Sequence, residues 1–185
     1  MLFRSPFYTA ARAKQLARQK GWALVEDAKR GYRRVVASPR PLRVLEAEMV
    51  RRLAEGGAVP IACGGGGVPV VETAEGYRGI EAVVEKDFAT EALATALAAD
   101  RVIFLTAVER VAVNFGTPQE VGIERLTVAD ARALLTAREF PPGSMGPKVE
   151  AGVRFVEEGG REAIITSLDR VRAAIDGEAG THIVP

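Results

Sequence analysis

The chain has 185 residues, of which 48% are hydrophobic and 26% charged, and its formal net charge is +1, a composition typical of one globular domain or of a domain with a small appendage. No apolar run approaches the roughly 20 residues of a membrane span, and residues 1–4 lack the apolar core of a signal peptide, so we expect a cytoplasmic protein with no membrane partner. A single cysteine, Cys63, and a single histidine, His182, exclude an internal disulfide and a metal cage of thiolates or imidazoles.

The first part of the chain predicts a small α+β unit. Thr9 can cap a helix that runs to about Lys20, and Gly21 ends it. Residues 22–25 and 32–36 are typical of two short strands around a turn. The Ser-Pro-Arg-Pro sequence at 38–41 breaks this pattern, and we place a domain boundary there, with residues 1–39 forming the first unit and residues 40–185 the second.

This first unit is basic, whereas the rest of the chain is acidic. Residues 1–43 hold eleven Lys and Arg against two acidic residues, and residues 44–185 hold fourteen basic and twenty-two acidic residues. Nucleic-acid binding is one interpretation of such a basic segment. A solvated helix face or a lid over an anionic substrate is the other, and we favour it because the segment contains no recognisable nucleic-acid motif.

Beyond residue 41 the patterns of helix and strand alternate, which predicts mainly parallel strands joined by crossover helices. We expect the Arg101–Thr106 strand to be central, because its apolar run is continuous. The predicted helices are 45–55, 88–99, 127–138, 147–158 and 167–175. The predicted strands or extended segments are 59–63, 68–71, 80–84, 101–106, 111–114, 163–166 and 181–184, with a turn at 76–79.

Four consecutive glycines, Gly64, Gly65, Gly66 and Gly67, follow the first strand predicted in this second unit. Glycines let a backbone adopt positive φ and bring N–H groups close to an anion such as phosphate or carboxylate. A glycine run after a strand is also an ordinary sharp turn. Cys63, flanked by apolar residues, is interpreted as a buried small side chain, and His182 as a structural residue.

Two lysines stand at positions where an α/β sheet binds its ligands, beyond the carboxyl ends of strands. Lys148 lies in the first turn of a predicted helix, where the helix dipole disfavours a cation by about 0.3–1 kcal/mol, so an anion should offset it. With Gly143 and Gly146 freeing N–H groups, this segment indicates a site for phosphoryl transfer. Lys86 and Asp87 follow another predicted strand, although Asp87 has a sufficient structural role as a helix N-cap.

Taken together, these segments resemble carbamate kinase, a member of the amino-acid kinase superfamily. The resemblance runs through nearly all of the chain. Its most specific motifs are the sequence from Cys63 to Val70, Lys86-Asp87-Phe88-Ala89 and Gly143-Ser144-Met145-Gly146-Pro147-Lys148. The other segments that carry it are 6–8, 26–27, 30–36, 38–39, 79–83, 114–116, 149–151 and 164–168.

The resemblance implies a three-layer αβα sandwich with a mainly parallel sheet, and phosphoryl transfer between ATP and carbamate to give ADP and carbamoyl phosphate, with arginine metabolism as its setting. By the same resemblance Lys86 and Lys148 are catalytic, Asp87 orients them, and Gly64 to Gly67 line the junction of the substrate and phosphate sites. Mg²⁺ is expected to be held mainly by the phosphates. The resemblance also implies a lid role for the basic first unit, which makes nucleic acid unnecessary as a partner. The residues expected beside the nucleotide are Thr106, Ala107, Asn114, Phe115, Gly116, Ser144, Met145 and Gly146.

The chain also departs from the family pattern. The similarity begins in the middle of a carbamate kinase, without the opening Gly-Gly-Asn phosphate loop. We therefore expect a truncated enzyme, and it is in question whether the chain is active by itself. Residues 106–109 read Thr-Ala-Val-Glu where the family has Thr-Gly/Asp-Val-Asp, and Lys29 replaces a common glycine. A sheet that lacks its first strands exposes an edge and apolar faces, which predicts dimerisation, aggregation or a partner fragment, and of these we expect a homodimer. A non-catalytic nucleotide-binding remnant, an assembly partner and a nucleic-acid-binding module remain as alternatives.

Overall fold

The computed structural model describes residues 2–27, 29–140 and 144–185, with the side chains of Leu2 and Phe3 left out. The helices are α1 (Ala10–Lys20), α2 (Ala47–Glu55), α3 (Lys86–Ala96), α4 (Val128–Thr136), α5 (Met145–Glu157) and α6 (Val171–Ile175), with a 3₁₀ turn at Leu168–Arg170. The strands are β1 (Leu2–Phe3), β2 (Leu24–Glu26), β3 (Tyr32–Val36), β4 (Val70–Thr73), β5 (Gly76–Gly79), β6 (Arg101–Thr106), β7 (Val111–Val113), β8 (Val121–Ile123), β9 (Arg125–Thr127), β10 (Glu162–Ser167) and β11 (Thr181–Val184).

Residues 2–36 form an antiparallel sheet with the strand order β1-β3-β2, packed against α1. The Thr9 side chain accepts a hydrogen bond from the Arg12 amide, and Gly21 ends α1 at a φ of 65°, as the sequence predicts. Ala13 and Leu16 are the buried residues of α1. The rest of α1 faces outward and carries four basic residues, Arg12, Lys14, Arg18 and Lys20, so this helix is amphipathic.

The main sheet has the strand order β6-β10-β11-β9. Strands β6 and β10 are parallel, β11 and β9 are parallel, and β10 and β11 are antiparallel. Helices α3, α4 and α5 cover one face with the larger core, to which Ala163 and Ile165 of β10 belong. Ile164, which points to the opposite face, packs with Ala174 of α6. The predicted α/β class with helices on both faces is therefore confirmed, with a mixed sheet.

The order of these elements defines a functional edge of the sheet. Helix α3 leads into β6 and α5 leads into β10, so each helix runs antiparallel to the strand that follows it. The N-termini of both helices therefore lie toward the carboxyl edge of the two strands, where Thr106 pairs in register with Ser167. Ligands of open α/β sheets bind at this edge.

Several predicted elements are wrong. Residues 59–63 form no strand, and the side chains of Val59 and Ile61 are almost fully exposed. A strand requires a hydrogen-bonded neighbour, and the described residues supply none for this segment. Residues 80–84 also form no strand; Ala82 makes only an isolated bridge to Ala37. The predicted inward face of α2 is not buried, since Met49 and Leu53 are exposed and Ala47 and Val50 are only half-buried.

Two further expectations about strands need correction. Within the described residues β6 is at the edge of the four-stranded sheet, not at its centre. The segment Gly76–Gly79, predicted as a turn, is a strand that pairs with β4 as an antiparallel hairpin. Strands β8 and β9 were not predicted, because both are three residues long and carry little apolar periodicity.

Candidate functional site

The centre of the candidate site is a buried ion pair between α3 and α5. The Nζ atom of Lys148 lies 2.9 Å from Oδ2 and 3.1 Å from Oδ1 of Asp87, and both residues are buried. The anion that offsets Lys148 near the N-terminus of α5 is therefore a side chain of the same molecule. Because an ammonium group has three N–H donors, these two bonds leave one donor for a further acceptor.

Asp87 is not the N-cap that the sequence suggests. Helix α3 begins at Lys86, its N-cap is Glu85, and Asp87 lies inside the first turn. A carboxylate in this turn interacts favourably with the positive end of the helix dipole. Its position thus stabilises α3 and at the same time presents the carboxylate to α5.

Lys86 is the exposed lysine of the site. Its Nζ donates to Oε1 of Glu85 at 3.0 Å and lies 3.5 Å from Oδ2 of Asp87. Burial alone would lower the pKa of Lys86, but the hydrogen bond from Lys86 to Glu85 and the charge of Asp87 raise it above its usual value. The structure therefore places two cationic amines, Lys86 and Lys148, around one carboxylate.

The glycine run packs against the segment that leads into α3. Gly66 has a φ of 131°, and a Cβ atom there would fall far inside contact distance of the Val84 carbonyl oxygen. The other three glycines have open space around the corresponding position. Of these four residues, only Gly66 must be glycine because another part of the backbone comes too close for a side chain. This close contact brings the loop beside Lys86.

Most of the glycine amides already have partners in this arrangement. Gly64 N–H donates to the Ala62 carbonyl, and the N–H groups of Gly66 and Gly67 both donate to the Cys63 carbonyl. Binding an anion through these three amides would require them to leave those carbonyls. The geometry is that of a tight turn that forms a wall of the site. The glycine run is therefore a sharp turn, and it lies beside the residues of the candidate site.

A mainly apolar cavity of about 150 Å³ lies next to the N-terminus of α5. Four of the residues expected beside a nucleotide line it: Thr106, Phe115, Ser144 and Met145. Ser144 is the N-cap of α5, and its side chain makes no capping hydrogen bond to the described helix. Val108, Arg110, Ala112 and Phe140 also line the cavity and were missed.

The remaining predicted nucleotide residues do not line this cavity. Asn114 and Gly116 belong to a turn in which the Asn114 side chain donates to the Gln119 carbonyl and the Gly116 amide donates to Glu120. Ala107 and Gly146 are also absent from the lining. Gly143 and the loop residues Pro141 and Pro142 lie outside the described residues.

Cys63 and His182 take no part in the site. Cys63 is half-buried, and burial together with the negative charge of Glu46 raises the pKa of its thiol, which makes the thiolate less accessible. Both ring nitrogens of His182 contact acceptors, Glu162 at 2.7 Å and the Ala179 carbonyl at 2.9 Å, and Glu162 also pairs with Arg101. These contacts link β6, β10 and β11.

Among the described residues no cluster of His, Cys, Asp and Glu side chains could hold a metal ion. Asp87, the carboxylate of the site, already has both oxygens bonded to Lys148. No helix in the described part of the chain is both long and apolar enough to cross a bilayer.

Substitution of the glycine loop tests its packing. Gly66→Ala should lower the free energy of unfolding by about 1–3 kcal/mol or displace the loop, because the backbone is left-handed and the methyl group meets Val84. Gly65→Ala is the matched control, and it should leave stability unchanged or raise it by about 0.4–1 kcal/mol. Denaturant unfolding of the two variants measures this difference, and equal stabilities would contradict the assigned packing.

Comparison with known proteins identifies relatives over almost the whole chain. The sequence profile described as the amino acid kinase family matches residues 8–167. The chain is 47% identical over 179 residues to carbamate kinase from Clostridium perfringens and 48% identical over 179 residues to carbamate kinase from Thermococcus kodakarensis. These alignments cover 96% and 97% of this chain but 57% of each relative.

Solved structures agree with the sequence relatives. A structure from Aeropyrum pernix K1 superposes with a TM-score of 0.91 at 43% identity, covering 100% of this chain and 59% of that one. Carbamate kinase from Giardia lamblia bound to AMP-PNP superposes with a TM-score of 0.88 at 38% identity, covering 98% of this chain and 58% of that one. The chain thus spans somewhat more than half the length of the proteins it matches.

Proposed function

Because the chain belongs to the amino acid kinase family, we propose that it forms the nucleotide side of a carbamate kinase site and transfers a phosphoryl group between ATP and carbamate. The single observation that carries this proposal is the buried Asp87–Lys148 pair at the carboxyl edge of the sheet. A cation held rigidly at a helix N-terminus, with a donor left over, suits the charge that develops on a phosphoryl group in transfer.

The roles of the residues follow from their contacts. In the direction of ATP formation, a new P–O bond forms to ADP while the P–O bond to carbamate breaks. Lys148 donates to an oxygen of the moving phosphoryl group, Asp87 holds the Lys148 amine in position, and Lys86 supplies the second positive charge. The glycine loop, fixed by Gly66, walls the site beside Lys86.

The nucleotide occupies the cavity beside α5. Phe115, Phe140 and Met145 give it the flat apolar walls that suit a purine base, and the uncapped N-terminus of α5 lies beside the cavity to receive the phosphates. As the resemblance implies, the phosphates of the nucleotide would be the main ligands of Mg²⁺. When bound, the ion neutralises charge on the phosphate oxygens.

On this proposal, the basic first unit, residues 1–39, acts as a lid over the substrate. Arg34, near the end of this unit, pairs with Glu81 of the second unit at 2.6 Å. Arg40, the residue at which the second unit begins, pairs with Glu150 and lies 4.9 Å above the Phe88 ring. Glu150 and Phe88 are close in sequence to Lys148 and Asp87. A movement of the lid would therefore also displace the first turns of α3 and α5. The homodimer, the setting in arginine metabolism and the cytoplasmic location stay predictions.

A non-catalytic nucleotide-binding protein is the second candidate. One observation favours it: three of the four glycine amides are bonded within their own loop. Under this alternative the cavity and α5 bind the nucleotide, and the transfer step does not occur on this chain.

Calorimetric titration with ADP, combined with an assay of ATP formation from carbamoyl phosphate and ADP, separates the two candidates. The proposed enzyme is expected to bind ADP and to form ATP at a rate proportional to chain concentration. Binding without turnover would support the non-catalytic candidate, and the absence of both would contradict the nucleotide site itself.

Lys148→Met tests the catalytic assignment. Turnover should fall by about 10²–10³-fold, the usual effect of removing one preorganised donor to a developing charge. Lys14→Met, which removes an exposed lysine of α1, is the matched control and should leave turnover unchanged. Circular dichroism at the assay temperature establishes that both variants are folded, and a folded Lys148→Met variant with full activity would overturn the assignment.

A further inference from the structure

The segment of residues 37–81 contributes no apolar side chain to a core. The structure describes all of this segment, and Gly66 is its one buried residue. Its large apolar side chains are exposed instead, with Val59 at 92% and Ile61 at 99%. Others that stand out are Leu42, Met49, Leu53 and Val68. Apolar surface gathered in one segment in this way is typical of a face that another molecule covers.

Helix α2 turns its apolar side away from the rest of the chain. Arg51 donates to the carbonyl oxygens of Ala96 and Leu97 at the end of α3, so the Arg51 side of the helix faces the body of the molecule. Met49 and Leu53 are one helical turn apart on the opposite side, and their exposed fractions are 59% and 47%. The helix is thus held by its polar side, and its apolar side is uncovered in the described chain.

Residues 59–62 run back along this helix. At the end of α2 the Ala58 amide donates to the Leu53 carbonyl, which fixes where the segment begins. At the other end the charge of Glu46, the N-cap of α2, is close enough to raise the pKa of the Cys63 thiol, together with the larger effect of burial. The segment therefore spans the length of the helix, and its exposed side chains belong to the same region of the surface.

The backbone of this segment is available for pairing. The N–H groups of Val59, Ile61 and Ala62 donate to none of the described residues, and Pro60 has no N–H group. Successive residues of an extended chain direct their N–H groups to opposite edges, so Pro60 interrupts only the edge that it shares with Ala62. The edge of Val59 and Ile61 is intact, and such an edge is a template on which another polypeptide adds a β-strand.

The relatives indicate what covers this face. Because the alignments cover 57% of each carbamate kinase relative, those proteins contain a further length of polypeptide, called here the unmatched part. The Aeropyrum pernix structure superposes on 100% of this chain with a TM-score of 0.91, so it holds the counterparts of α2 and of residues 59–62 in the same arrangement beside its own unmatched part. The two parts of such a fold must touch, and residues 37–81 hold most of the exposed large apolar side chains of this chain.

We propose that the apolar side of α2 and the edge of residues 59–61 form a docking surface for a polypeptide equivalent to the unmatched part of these relatives. The partner adds a β-strand along residues 59–61 and lays apolar side chains over Met49 and Leu53. It thereby comes to lie beside the glycine loop, because Cys63 and Gly64 follow the paired segment directly. The inference does not rest on the proposed function, since α2 and residues 59–61 have no role in phosphoryl transfer.

Co-expression tests this docking. The full chain carries an affinity tag, and the unmatched part of the Thermococcus kodakarensis carbamate kinase is expressed with it as a separate polypeptide. We expect a one-to-one complex by size exclusion with light scattering, in which the amides of Val59 and Ile61 exchange with solvent about tenfold or more slowly than in the chain alone. The tagged matched part of the Thermococcus enzyme is the positive control, and it should recover the same polypeptide.

Ile61→Lys and the matched control Leu168→Lys each place a charge at an exposed apolar position, so neither should unfold the chain. Ile61→Lys should lower recovery of the polypeptide about tenfold or more, because docking would bury an unpaired ammonium group, whereas Leu168→Lys should leave recovery unchanged.

The docking is overturned if this chain fails to recover the polypeptide that the positive control recovers, or if Ile61→Lys recovers it as well as the unchanged chain does. It is also overturned if the chain alone has the mass of two copies and its amides at residues 59 and 61 are already protected, since a second copy then covers the face. None of these outcomes depends on nucleotide binding or turnover, so the proposed function stands or fails separately.

Discussion

The ion pair between Asp87 and Lys148 is the interaction on which the rest of the site depends. Each partner is buried, so either charge alone would be strongly disfavoured. Lys148 also lies near the positive end of α5, where the helix dipole further disfavours a cation. Asp87 supplies that anion from α3, and the pair thereby fixes the N-termini of the two helices side by side.

This constraint extends along both helices and into the sheet. Further along the same helices, the buried Glu91 of α3 lies 3.4 Å from Arg154 of α5. Burial and the charge of Glu158 raise the pKa of Glu91, against the opposing effect of Arg154, so its ionised form depends on that arginine. The two helices lead into the parallel strands β6 and β10. This connection places the Asp87–Lys148 pair at the carboxyl edge of these two strands. On our proposal α5 links the two parts of the reaction, since Met145 lines the base cavity and Lys148 follows three residues later.

Local signals in the sequence predicted the elements that local interactions determine. The cap at Thr9, the left-handed Gly21 and the apolar strand of β6 are all present in the structure. The failure at residues 59–63 has a physical cause that the sequence does not show, because a strand exists only with a neighbour. Residues 59–63 have strand-like side chains but no strand partner among the described residues, and α2 has an apolar face on which no residue is fully buried.

The site could be predicted only in part. Asp87 and Lys148 are 61 residues apart, and their contact follows from the packing of α3 on α5, which spacing does not reveal; only the resemblance to carbamate kinase suggested it. Among the four glycines the sequence could not single out Gly66, because the requirement comes from the Val84 carbonyl. Arg110 and Ala112 could have been predicted to share a face, since the side chains of a strand alternate and both residues flank Val111. Phe140 had no such signal.

A double-mutant cycle on Asp87 and Lys148 tests the central claim most directly. The free energy of unfolding is measured for the unchanged chain, Asp87→Asn, Lys148→Met and the double variant. Each single variant leaves one buried charge unpaired and should lose about 3–5 kcal/mol, whereas the double variant leaves none and should lose little more than either single one. Losses that simply add would show that the two side chains act independently, and would contradict the account.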